Sequence, residues 1–206
     1  IYSSDAVVTH FPRTHSILNS LVGEKAFLTV SPMMLATVFE NKVISRNVQA
    51  VCDGSYKKIL YPAQFQAHKN HFNLLKAFRN ILDQQGANFM LILTGSVHDE
   101  EYKKRVDLAI LELNLQEHVS TLGLVSDYEL NCLYKAASLV VQPSFAEGGA
   151  YIAQEAVAFN KPVIVANIPQ GKMNFATGRV FAKLSVALIV MIKATITLKH
   201  SKGIKI

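Results

Sequence analysis

The chain has no tryptophan, only two cysteines and few charges. Its 206 residues include Cys52, Cys132 and a charged fraction of 17%. Two cysteines far apart, without CxxC spacing, exclude a disulfide-built scaffold and a cysteine-rich zinc module. They fit a pair of reduced, half-buried thiols in a cytosolic protein. No Asn-x-Ser/Thr acceptor site occurs. No basic stretch followed by an apolar run and a cleavage site opens the chain, and its first residue is Ile1. The simplest expectation is a fragment with its true start upstream. Half the residues are apolar, so the chain can build one good core, or one domain and part of another.

Acidic residues are missing from the last quarter. Residues 156–206 hold no Asp or Glu but eight basic side chains, among them Lys161, Lys172, Arg179, Lys183 and Lys193. Residues 1–155 carry thirteen basic against fifteen acidic groups, a net of −2. The overall +6 is thus a property of the tail, available to phosphate or an anionic membrane, or simply solvated. Nucleic acid is not an expected partner. GxGxxG, GxxxxGK, GxSxG and HExxH are all absent.

What is present becomes regular at Lys57. Asp5 to His10 and Ala26 to Val30 read as short strands, with a helix from Ser16 to Val22. Met33 to Ser55 shows no period and reads as a domain end and linker. Ile59 to Tyr61 is then an apolar run stopped by Pro62. His71 to Gln85 places Leu74, Leu75, Phe78, Ile81 and Leu82 on one helical face. Gly86 ends it. Phe89 to Leu93 is a fully apolar strand, Glu100 to Leu113 a helix, and Val119 to Leu122 a strand. Ser126 and Glu129 have capping-box spacing. Leu139 to Val141, Tyr151 to Phe159 and Pro162 to Ala166 complete a strand, helix and strand. Apolar strands separated by amphipathic helices imply α/β: a Rossmann-like parallel sheet with helices on both faces. Ligands of such sheets bind at the carboxyl ends of the strands. The expected division is residues 1–50 as a domain remnant with linker, 51–180 as the binding domain, and 181–206 as a basic helix or altered tail.

The richest of these ends runs from Pro143 to Glu155. Gly148 and Gly149 remove side chains where a helix start exposes N–H groups, which suits phosphate oxygens. Glu155 lies inside the helix, and helical side chains tilt toward the N-terminus, so its carboxylate is expected at the mouth. There it would meet hydroxyls, such as a ribose diol; Glu147 would meet those of a sugar. A tight turn with a solvated Glu155 is the plain alternative. The second candidate is Gln64 to His71, with Lys69 near the sheet edge to neutralise phosphate; a plain surface lysine is its alternative. His68 and His71 form a conceivable metal pair, but no carboxylate or cysteine stands nearby in sequence to complete it, so no metal is expected. Glu147 and Glu155 share one turn, which disfavours a hydrolase acid/base pair flanking a bond.

These segments together resemble the C-terminal half of the retaining GT-B glycosyltransferases of family 4, the glycosyl transferases group 1. Tyr61-Pro62-Ala63 with His68-Lys69-Asn70-His71 resembles the first phosphate loop. Leu91 to Gly95 resembles the second strand and glycine turn. Leu122-Gly123, Ser126-Asp127 and Leu133 to Ala137 resemble the stretch near the base. Pro143-Ser144, Glu147-Gly148, Glu155-Ala156 and Lys161 to Val165 resemble the donor motif and following strand, with its Glu-x7-Glu spacing. The resemblance covers Ile59 to Pro169 and implies transfer from a nucleoside-diphosphate sugar, with retention, without metal or cofactor. It implies catalytic roles for Glu147 on the sugar and Lys69 on the diphosphate, and ribose binding by Glu155. Donor contacts would come from Gln64, Gly95, Gly123, Leu124, Val125, Gly148, Gly149, Ala150 and Tyr151.

The sequence departs from that family in four places. Gln64 stands where Arg is frequent, and Ala150 where Gly allows close approach. The acceptor domain is nearly missing, Asp5 to His10 resembling only its last strand. After Asn167-Ile168-Pro169 the pattern is lost. A glycan, lipid or other acceptor is then expected to bind through the missing domain, and this chain alone to be inactive. Leu184 to Ile192 is apolar, yet shorter than the ~20 residues of a membrane span. A core helix, an altered end and a peripheral helix on an anionic membrane are the readings, in that order. Two other functions stay open, a sugar-nucleotide epimerase on the same scaffold and a non-catalytic nucleotide-binding remnant.

Overall fold

A computed structural model of the chain describes residues 6–9, 20, 27–30, 42–148, 151–166 and 168. The chain divides into two compact units, Ile1–Val38 and Phe39–Ile206. In the first, strands β1 (Ala6–Thr9) and β2 (Phe27–Val30) pair in parallel, Ala6 opposite Phe27. Of the helix expected from Ser16 to Val22, only Ser20 lies among the described residues, and it is helical.

The second unit begins earlier than the boundary expected at residue 50. The stretch read as linker contains a helix, α1 (Arg46–Asp53), with Val48 buried. It packs on a later helix of the same unit, which is why it belongs there. Then follow β3 (Lys57–Pro62), α2 (His71–Gln85), β4 (Phe89–Thr94), α3 (Glu100–Glu112), β5 (Val119–Gly123), α4 (Asp127–Ala136), β6 (Leu139–Gln142), α5 (Tyr151–Ala158) and β7 (Val163–Val165). These elements agree with the expected ones to within a residue or two at each end. Pro62 does not stop β3 short: it forms its last residue, opposite Thr94.

All five strands run parallel in the order β5-β4-β3-β6-β7. Leu60, Leu91, Ile92, Leu93 and Val140 are sealed from solvent, as expected of a sheet covered on both faces. Helices α2 and α3 pack together, and α1 packs on α4. With right-handed crossovers these pairs lie on opposite faces. The capping box of α4 forms as read: Ser126 accepts from the Glu129 N–H, and Glu129 returns to the Ser126 N–H. The chain winds outward from β3 to β5, then returns to the other side of β3 with β6. The strand order reverses there, opening a cleft between the carboxyl ends of β3 and β6.

Candidate functional site at the strand-order reversal

Two loops meet at this cleft. One leaves β3 through a short 3-10 turn, Ala67–Lys69, into α2. The other leaves β6 at Pro143. Bonds between them fix their relation. Asn70 Nδ2 donates to the Pro143 carbonyl at 2.9 Å, and the Phe145 N–H to the His68 carbonyl at 2.8 Å. The Tyr61 hydroxyl donates to the Lys69 carbonyl at 2.8 Å and lies 3.1 Å from Ser144 Oγ. Asn70 is left-handed (φ 64°) and nearly buried; asparagine tolerates that conformation better than other side chains. Asn73 Nδ2 satisfies its remaining oxygen at 2.7 Å. Burial drives the Tyr61 phenol well above its ordinary range, despite the bond with Ser144. It stays a neutral strut.

The charged pair of the cleft rests on this frame. Lys69 Nζ lies 2.9 Å from both Glu147 carboxylate oxygens. Their side chains are 14% and 8% exposed, so water screens the pair only weakly. The two residues expected to carry catalysis are thus together, bonded to each other. Glu155 stands apart from them in its contacts. The Tyr134 hydroxyl, from α4, donates to Glu155 Oε2 at 2.5 Å. Burial raises the Glu155 carboxyl; the Tyr134 bond works against that, and Asp127 adds to it. Tyr134 stacks flat on Phe159, centroids 5.0 Å apart. Glu155 is thus half-buried and bonded through one oxygen.

The other expected contacts divide by cause. Gly95 has φ +149°, and a Cβ there would fall 2.4 Å from the Ala63 carbonyl oxygen. The chain's own crossing of two loops therefore demands this glycine. A Cβ at Gly148 would meet no described atom within 4 Å. Gly123 ends β5, its carbonyl taking the Gly95 N–H at 2.8 Å. Leu124 beyond it is 78% exposed, whereas Val125 packs against the core. Gln64 is exposed. Tyr151 opens α5. Gly149 and Ala150 lie outside the described residues, as do Asn167, Pro169 and the tail 181–206.

His68 and His71 are not a pair. His68 is exposed, whereas His71 is fully buried, stacked on Phe65 at 4.8 Å and beside Tyr61 and Tyr102. Burial lowers its pKa to about 4, with nearby Lys69, His68 and Lys103 acting in the same direction. A neutral ring in an aromatic stack is its state. Among the described residues no group of three or more His, Cys, Asp or Glu is placed to hold a metal. None of their helices is long and apolar enough to cross a membrane.

Tyr61, Asn70, Ser144 and Tyr134 orient the site; the sequence places them within the motif segments but gives none of them a role. The signal available was polarity at positions where the period demands burial, clearest for Tyr134 on the buried face of α4.

The profile of the family described as "Glycosyl transferases group 1" matches residues 47–178. An uncharacterized glycosyltransferase of Methanocaldococcus jannaschii is 32% identical over 130 residues, 63% of this chain and 32% of that protein. The O-antigen chain mannosyltransferase RfbU of Salmonella typhimurium is 33% identical over 102 residues, 50% of this chain and 27% of that protein. The chain therefore spans a third or less of these relatives' lengths. Among solved structures, a TarM mutant of S. aureus, in complex with Fondaparinux, alpha-GlcNAc-glycerol and UDP, superposes with TM-score 0.66 at 16% identity. That match covers 95% of this chain and 37% of TarM. The fold is that of the GT-B glycosyltransferases, and with more than half its length matched by the family profile, the chain belongs to the glycosyl transferases group 1.

Proposed function

We propose that the chain holds a nucleoside-diphosphate sugar in the cleft between β3 and β6, for transfer of the sugar to an acceptor with retention. The observation that carries this reading is the Lys69–Glu147 pair, a cation and a carboxylate fixed at the strand-order reversal. Lys69 meets the diphosphate and stabilises its charge as the sugar departs. Glu147 accepts from hydroxyls of the transferred sugar. Glu155, oriented by Tyr134, accepts from the ribose diol. The space beside Gly148 admits the donor, and the backbone of Gly149, Ala150 and Tyr151 approaches sugar and phosphate. Gly95 and Gly123 shape the floor. Leu124 and Val125 line the base, where the exposed Leu124 side chain supplies an apolar face.

Neither metal nor cofactor is called for, because lysine and a helix start neutralise the leaving diphosphate. UDP in the TarM complex and the GDP-Man in the name of an alpha-1,2-mannosyltransferase of Dictyostelium discoideum, 36% identical over 106 residues, make sugar nucleotides of uridine and guanosine the first donors to try. A glycan, lipid or other acceptor approaches from residues outside this donor half. The protein works in the cytoplasm, with the basic segment 181–206 able to rest on an anionic membrane. Gln64, exposed and uncharged where the family resemblance leads to the expectation of Arg, favours a second reading: nucleotide binding without turnover.

Calorimetry with UDP, GDP and ADP tests the first reading. Binding of at least one is expected, weakened by Glu155→Ala. A folded chain that binds none of the three refutes it. Donor binding without turnover by a chain that includes an acceptor domain selects the second reading.

A further inference from the structure

We propose that Glu147 makes the site discriminate against the spent donor: it competes with the diphosphate for Lys69 unless sugar hydroxyls occupy it. This inference rests on the donor-site reading above. Lys69 Nζ sits 2.9 Å from each carboxylate oxygen of Glu147, so the chain supplies the lysine with its own counter-ion. Among the described residues, Glu147 forms an ion pair with no other cation. The pairing does not depend on loop drift. The Lys69 carbonyl is held by Tyr61, His68 by Phe145 and Pro143 by Asn70, so ammonium and carboxylate arrive on two fastened supports.

A bare nucleoside diphosphate that takes Lys69 leaves the Glu147 side chain, 8% exposed, with little water and no other counter-ion among the described residues. It also brings a second anion beside it. Both effects disfavour binding. A sugar nucleotide brings the same diphosphate together with hydroxyls, whose O–H groups donate to Glu147 in place of the lost ammonium. When the sugar has moved to an acceptor, those donors leave with it. Glu147 then recaptures Lys69, and the nucleoside diphosphate is released. The same carboxylate therefore favours the loaded donor and hastens departure of the emptied one.

The test is calorimetry of UDP and GDP, and of their glucose and mannose derivatives, on the chain and on Glu147→Gln. The amide holds Lys69 more weakly than the carboxylate does. The variant is expected to bind the bare diphosphate roughly two- to fivefold more tightly while binding the sugar nucleotide more weakly. Glu147→Asp, which keeps the charge with a shorter reach, is expected to shift both affinities in the same directions by less, and remains informative if the amide variant fails to fold. A merely structural role would weaken both ligands together. If Glu147→Gln or Glu147→Asp weakens the bare diphosphate as much as the sugar nucleotide, the inference is overturned and the donor site stands. If no nucleotide binds the unsubstituted chain, both fall.

Discussion

The hydroxyl of Tyr134 donates to Glu155 Oε2 at 2.5 Å, joining α4 to α5 beside the cleft. Burial lifts the Glu155 carboxyl above its ordinary range, and the tyrosine works against that lift. A folded-state pKa above the unfolded one means that this group's contribution to stability is full at low pH. It is lost as pH rises through the folded value. Glu155→Gln keeps an acceptor for Tyr134 and removes the half-buried charge. It is expected to raise the melting temperature at neutral pH while weakening nucleotide binding about tenfold or more, the loss of a charged hydrogen bond. Thermal melts and calorimetry on one preparation check both signs; a lower melting temperature would contradict the burial argument.

Glu129 behaves in the opposite sense. Hydrogen bonding by Ser45, first from its hydroxyl, and by the Ser126 and Ser45 N–H groups holds its carboxyl down to about 2. The Ser45 N–H reaches Glu129 Oε1 at 2.9 Å. Stability from this group is present above the ordinary carboxyl range and lost as pH falls toward 2. Glu129→Gln is expected to cost about 2 kcal/mol at pH 7, from the cap and the Ser45 anchor together. Its melting temperature should also fall less steeply between about pH 4.5 and 2 than that of the unsubstituted chain. Parallel slopes would remove Glu129 from the account.

Asn70 combines a left-handed backbone with a buried bond to Pro143. The two contributions separate by substitution. Asn70→Gly loses the bond and keeps the conformation; Asn70→Ala loses both. Alanine is expected to be the worse by about 1 kcal/mol in urea unfolding. Equal losses would mean that the backbone conformation costs nothing here.

The two glycines of the cleft differ in kind. At Gly95 a methyl group collides with the Ala63 carbonyl, so Gly95→Ala is expected to destabilise by about 3 kcal/mol or more. At Gly148 it meets no described atom within 4 Å. Gly148→Ala is expected to leave stability within about 0.5 kcal/mol and to weaken the sugar nucleotide. Unchanged donor affinity in a folded Gly148→Ala chain would leave that glycine without a donor role.

These contrasts mark what the sequence reveals. Helix α2 is legible because five apolar residues repeat on one face, and all five are buried. The apolar strands are legible because both faces are covered. Helix α1 is not, because only Val48 of its eight residues is buried and the partner of its Ser45 lies 84 residues away. Glu147, Lys69 and Glu155 stand out through spacing and resemblance. Their partnerships do not, since 78 residues separate Lys69 from Glu147 and 21 separate Tyr134 from Glu155. His68 and His71 read as a conceivable metal pair from their spacing, which does not reveal that Phe65 and Tyr102 close over His71.

The placement of β6 beside β3 carries a consequence for synthesis. As the chain leaves the ribosome, β3, β4 and β5 appear first, and one edge of β3 stays bare. Lys69, Asn70 and Tyr61 are made early, but Glu147, Pro143 and Ser144 are not. Pairing of such distant residues is slow to form, since a long loop must close before any contact rewards it. The cleft is therefore a late product of biogenesis, and a nascent chain halted before β6 begins at Leu139 carries one wall of it and lacks Glu147 as a partner for Lys69.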